Sequence, residues 1–106
     1  MNCYVIVELD ITDSRWVQDY VQNVTPMVER HGGKYLARTS NLEKLEGTRE
    51  RPQMCVLIEW PSKEAAVAFY NSAEYRPYLQ QRLDGAKNEL ILLAGEDAAR
   101  ATRSAR

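Results

Sequence analysis

Seven residues in this chain are candidates for chemistry by type and placement: His31, Arg38, Glu46, Glu59, Tyr70, Tyr75 and Arg82. An imidazole or a carboxylate can move a proton, and an arginine fork can hold an anionic or enolic oxygen. His31 is the only histidine, at the corner "RHGGKYLAR", seven residues before Arg38. Its place is the last turn of a helix, on the apolar side, where a packed histidine is also favoured by the helix dipole. Arg38 suits either a structural ion pair or a bound carboxylate or enolate. Glu46 precedes Gly47, so it reads as a turn anchor as readily as an acid or base. Tyr75 and Arg82 are seven residues apart, on one side of one helix, and could frame a cavity mouth. Arg82 could equally tie its helix to a loop carboxylate such as Glu46, and Tyr70 and Tyr75 also suit helix packing.

The residues therefore divide into two expected sets. His31, Arg38, Glu46 and Glu59 are the catalytic candidates; Arg38, Tyr70, Tyr75 and Arg82 are the substrate-binding ones. No metal site is expected, because a lone histidine and two cysteines outside any CxxC array do not make a ligand set. The double glycine matches neither GxGxxG nor a P-loop, so no cofactor is expected.

The elements that position these residues follow from hydrophobic period. "CYVIVEL" (3–9) is β-branched and apolar, hence a strand. Asp13 is an N-cap, and Val17, Tyr20, Val21, Val24, Met27, Val28 and His31 mark one helix face to about residue 31. Pro26 should kink that helix. Gly32 takes the left-handed position past its end, and Gly33 lets the chain turn at once. Strands are expected over 34–40, 54–60 and 89–95, with a polar connection over 41–52. Two helical pieces, capped by Ser62 and Ser72, fill the interval after the third strand. The order βαββαβ builds a ferredoxin-like α+β domain over 1–96, with a four-stranded antiparallel sheet and helices on one face. "EDAARATRSAR" reads as a mobile polar tail over 97–106.

A 106-residue chain with 44% hydrophobic and 27% charged residues is an ordinary single-domain composition. Formal net charge is −1, so no basic field for nucleic acid exists. No apolar run approaches the ~20 residues that span a bilayer, so no membrane partner is expected. "MNCYVIVELD" lacks a basic leader region, and Cys3 and Cys55 sit in apolar runs; both observations read as cytoplasmic.

Alternation along the strands predicts a second, mixed face. Tyr4, Ile6, Glu8, Leu36, Arg38, Leu57 and Glu59 should share the side away from the helices. That face is too apolar for open water, and a second copy of the sheet is its economical cover. The covered space would be apolar with a few polar groups, as small-molecule pockets are. The first and third strands are neighbours in this topology, which could bring Glu8 beside Glu59 and raise a carboxylate pKa.

"DITDSRWVQDY", "HGGKYLAR", "LEKLEG", "IEWPSKEAAVAFYNSAEYRPYLQQR" and the closing "LAG" together resemble domain-of-unknown-function family 1330, over about residues 2–96. The resemblance implies a small homodimeric protein of the dimeric α/β-barrel superfamily, with no activity attached. By position it carries over Asp13, Tyr20, His31, Gly32, Gly33, Arg38, Glu46, Gly47, Pro61, Ser72, Tyr75 and Arg82. The chain departs from the family at Thr39 and Ser40, where glycines are frequent, and at Trp60, where phenylalanine is frequent. Related barrels include cofactor-free monooxygenases, isomerases, dehalogenating and haem-degrading enzymes, so the fold cannot choose a reaction.

Two functions fit. One is a cofactor-free enzyme of isomerase, lyase or monooxygenase type, holding a small organic acid or an aromatic, polyketide-like molecule between sheet and helices. The other is a non-catalytic dimeric module for a small ligand or a protein partner.

Overall fold

The computed structural model describes residues 1–100 of the chain. The elements run β1 (Cys3–Ile11), a 3-10 turn (Ser14–Trp16), α1 (Val17–Arg30), β2 (Lys34–Thr39), β3 (Met54–Trp60), α2 (Lys63–Tyr70), α3 (Arg76–Gly85) and β4 (Ala86–Ala94). They form one antiparallel sheet in the order β2-β3-β1-β4, with β1 and β3 central. The architecture is the expected ferredoxin-like α+β fold.

Two of the three expected caps hold; Ser72 does not cap α3, whose N-cap position is Tyr75 with no side-chain cap, and instead its Oγ accepts from the Tyr75 N–H at 3.3 Å in the turn before the helix. The Asp13 carboxylate accepts from the Arg15 N–H and opens the 3-10 turn that leads into α1. Ser62 Oγ accepts from the Ala65 N–H at 3.0 Å and caps α2. Helix α1 runs on through Pro26 to Arg30. It closes in a Schellman arrangement: Gly33 N–H donates to Val28 O at 2.9 Å and Gly32 N–H to Glu29 O at 3.1 Å, with Gly32 at φ +97. The second glycine has a different reason from the expected one. A Cβ at Gly33 would lie 2.6 Å from Val28 Cγ1 and 2.9 Å from Trp60 Cη2, so the position is reserved by packing.

Two strands are longer than expected. β1 continues to Ile11 and β4 begins at Ala86, because Asp10 and Ile11 pair with Lys87 and Ala86. The chain passes from α3 into extended backbone within one residue, at Ala86. A Cβ on Gly85 would run into the Trp16 indole, whose N–H donates to Gly85 O at 3.2 Å. The core lies between helices and sheet, around Val24, Val28, Ile58, Trp60 and Phe69. Residues 101–106, the greater part of the expected tail, lie outside the described residues; over 97–100, Arg100 pairs with Asp97 at 3.3 Å.

The alternation rule fails in one strand. β2 pairs Tyr35 with Ile58 but Ala37 with Leu57, so Leu36 is an extra residue, a β-bulge. Beyond the bulge Arg38 stands opposite Val56. It therefore shares the helix-facing side with Tyr35, Val56 and Ile58. The expectation that Arg38 lies on the outer face with Leu57 and Glu59 is corrected: the bulge reverses the parity. The expected closeness of Glu8 and Glu59 is corrected too. Tyr4 opposes Glu59 and Glu8 opposes Cys55, which separates the acids by four residues, about 13 Å along the ladder.

Candidate functional site

The helix-facing side of the sheet is not filled solid. A cavity of about 400 Å³ lies between it and the helices, floored by residues such as Val5, Val7 and Val56 and roofed by residues of α1, α2 and α3. The wall is overwhelmingly apolar, and Arg82, Arg38 and several tyrosines supply its polar groups.

Arg82 is the outlier. It is 3% exposed, a charged group taken almost wholly out of water. No carboxylate among the described residues pairs with it. Its Nη1 donates to Asn88 Oδ1 at 2.6 Å, and its Nη2 to the Tyr75 hydroxyl at 3.4 Å. Asn88 is itself clamped, its amide donating to Arg82 O and Ala86 O. These bonds hold the guanidinium but bring no opposite formal charge to it, and burying a cation carries a desolvation cost. Burial works against the Arg82 cation, and the Tyr75 and Tyr20 oxygens work for it; the balance leaves its pKa above the ordinary value. The suggested tie from Arg82 to Glu46 does not exist, because Asn88 and Tyr75 take the guanidinium instead.

Tyr75 and Tyr20 complete this polar corner. Their hydroxyls are 2.6 Å apart, Tyr20 from α1 and Tyr75 from the turn before α3. Burial, together with the neighbouring Tyr75, pushes the Tyr20 phenol far up, so it stays protonated. Phe69 lies against Tyr75 at 4.3 Å between ring centroids and stacks on Trp60 at 5.4 Å, so the hydroxyl pair is held by packed rings. Trp60 is buried on the cavity wall, and its indole N–H has no partner among the described residues. A buried donor left open is uncommon enough to require an explanation.

Arg38 stands on the other edge strand. Its guanidinium carbon sits 3.8 Å above the Tyr35 ring, and Nη1 donates to Thr25 Oγ1 of α1 at 2.7 Å. It lines the cavity while remaining exposed, so it belongs to the mouth. Tyr70 also lines the cavity, 39% exposed, with its ring 6.2 Å from Tyr75.

The structure thus brings together Arg38, Tyr70, Tyr75 and Arg82 on one cavity. It does not bring His31, Glu46 or Glu59 there. His31 Nε2 is 3.2 Å from Glu74 Oε1, which also accepts from Arg30 at 3.1 Å, and its ring packs edge-on to Phe69. Glu46 is exposed in the 40–53 connection. Glu59 lies on the outer face, where the Tyr4 hydroxyl donates to it at 3.4 Å. Sequence reasoning left Asn88, Tyr20 and Thr25 out of the site. Asn88 did carry a signal: it is the polar member of the inward series Ala86, Asn88, Leu90 and Leu92.

Fold and site together define a ferredoxin-like α+β protein with a small-molecule-sized cavity between one sheet face and its helices. The chain belongs to the domain of unknown function family DUF1330, whose profile matches residues 2–96. No curated protein matches it. Among solved structures it is similar to the RPA0582 protein of unknown function from Rhodopseudomonas palustris: 20% identity, 91% of this chain and 83% of that one, TM-score 0.75. SnoaB, a cofactor-independent oxygenase from Streptomyces nogalater, is similar at 9% identity, 92% and 95% coverage and TM-score 0.65. A dimeric ferredoxin-like protein of unknown function from Jannaschia sp. CCS1 is similar at 12% identity, 89% and 99% coverage and TM-score 0.63. At these identities the likeness is one of fold.

Proposed function

We propose that the cavity binds a small organic acid or an aromatic, polyketide-like molecule, with Arg82 receiving an anionic or enolic oxygen. One observation carries this reading: a buried guanidinium without a carboxylate partner faces an apolar cavity of about 400 Å³. A bound anion supplies the missing counter-charge in a site where water screens little. The Tyr75 hydroxyl accepts from Arg82, and with Tyr20 donating to it as well its own proton is free for the same oxygen.

The enzymatic form of this reading is a cofactor-free isomerase, lyase or monooxygenase-like protein, in which Arg82 stabilises an enolate as it forms. The similarity to a cofactor-independent oxygenase supports it by analogy of fold only. The alternative, a non-catalytic ligand-binding module, has its own observation: among the described residues no carboxylate or imidazole lines the cavity to take a proton from carbon. Both forms share the occupant of Arg82.

The outer face supports a homodimer. Ile91 and Leu93 are 58% and 47% exposed there, beside Ile6 and Leu57. A second sheet laid against them removes that apolar surface from water. Cys3 and Cys55 are free thiols, both raised above the ordinary value chiefly by burial, which suits a reducing cytoplasmic setting.

Thermal shift against a metabolite library tests the occupant, since a ligand that binds only the folded state raises Tm. Organic acids should raise Tm in the wild type and not in Arg82→Met. A library with no stabilising acid, or one whose acids stabilise both proteins equally, overturns the proposal.

A further inference from the structure

The cavity has two cationic ends. Arg82 is anchored to Asn88 on β4, and Arg38 projects from β2. These are the two edge strands of the sheet, with β3 and β1 between them. Three strand spacings separate them, about 14 Å. Between lies the apolar floor of Val5, Val7 and Val56. Both arginines line the cavity between these strands, so the donors they offer to a ligand lie within that separation, on the order of 9 Å apart.

The two ends differ in character. Arg82 is enclosed and short of a counter-charge. Arg38 is at the mouth and preset: the Tyr35 ring supports its plane and Thr25 fixes one nitrogen. The bond to Thr25 uses one of the five N–H donors of the guanidinium. No carboxylate among the described residues pairs with Arg38 either. Two cations without acids, at opposite ends of one apolar trough, are what a two-headed anion would neutralise. An ordinary monoacid leaves one end unmatched.

We propose that the ligand is bipolar: an acid or enol at Arg82, an apolar body over the valine floor, and a second anionic or strongly accepting group at Arg38. This rests on the reading of Arg82 given above and adds the ligand's length and second head group. It also gives the bulge at Leu36 a function. Without the parity reversal Arg38 would face away from the trough.

Isothermal titration with a homologous series tests it, using butanedioate, octanedioate and the monoacid octanoate as probes. Octanedioate spans about 9 Å between carboxyl carbons and butanedioate about 4 Å. Octanedioate should bind about tenfold more tightly than octanoate, and butanedioate should gain nothing over it. In Arg38→Gln, an exposed substitution, the octanedioate-to-octanoate ratio should fall to near one. Equal affinity for octanoate and octanedioate, or a preference that survives Arg38→Gln, overturns the bipolar ligand while leaving Arg82 as an acid site. If neither acid binds, the Arg82 reading and this one fall together.

Discussion

At the residue scale the account turns on Arg82, and stability and binding should part company there. Arg82→Met removes a buried charge that has no acid partner, but it also frees Asn88 Oδ1 and the Tyr75 hydroxyl. These effects oppose each other, so urea unfolding should place the variant within about 1–2 kcal/mol of wild type. Acid binding, in contrast, should fall at least tenfold. A loss well beyond that range in stability would make Arg82 a structural residue first. A second prediction concerns Asp13, whose carboxyl is held down to about 2 by hydrogen bonds from the Arg15 side chain and N–H. The sign follows from linkage: a depressed acid stabilises the fold above its ordinary titration range and loses that contribution as pH falls toward 2. Carbon-detected NMR titration should find Asp13 near 2, and Arg15→Ala should move it up toward ordinary carboxylates. What sequence alone conveyed at this scale was identity without environment. Tyr75 and Arg82 were recognisable as co-facial from their spacing. That Asn88, and not an acid, takes the Arg82 guanidinium depends on β4 beginning at Ala86, three residues before the apolar run that marks the strand in the sequence.

At the element scale, period and capping made most of the architecture legible. The alternation of β1, the apolar face of α1 and the caps at Asp13 and Ser62 all reappear in the structure. The errors come from features that break period. The bulge at Leu36 inserts one residue into β2, so counting by twos put Arg38 on the wrong face. The boundary of β4 was missed because Ala86–Asn88 are too few and too mixed to read as strand without β1 beside them. Gly33 shows the reverse case, where a glycine read as a turn residue is a packing requirement. Gly33→Ala should cost about 1–3 kcal/mol in urea unfolding, because Val28 and the rigid Trp60 ring must both yield. An unchanged midpoint would show that the α1–β3 contact is looser than described.

At the scale of the whole molecule, the proposed function assigns an occupant to each sheet face: a ligand beneath the helices on one, a second copy of the chain on the other. Light scattering at micromolar concentration should give twice the chain mass, and Ile91→Glu should give the single mass, because it puts a charge among the exposed apolar residues of the face proposed to be covered. A wild-type monomer would leave Ile91 and Leu93 facing water. No helix among the described residues is long and apolar enough to cross a membrane. The central claim is that Arg82 is a counter-ion awaiting its anion, and the Arg82 Nε–H resonance reports on it most directly. Nitrogen-detected NMR during titration with octanoate should move that resonance and saturate at the concentration that raises Tm. Saturable binding that leaves the Arg82 resonance still, while signals elsewhere move, would contradict the account.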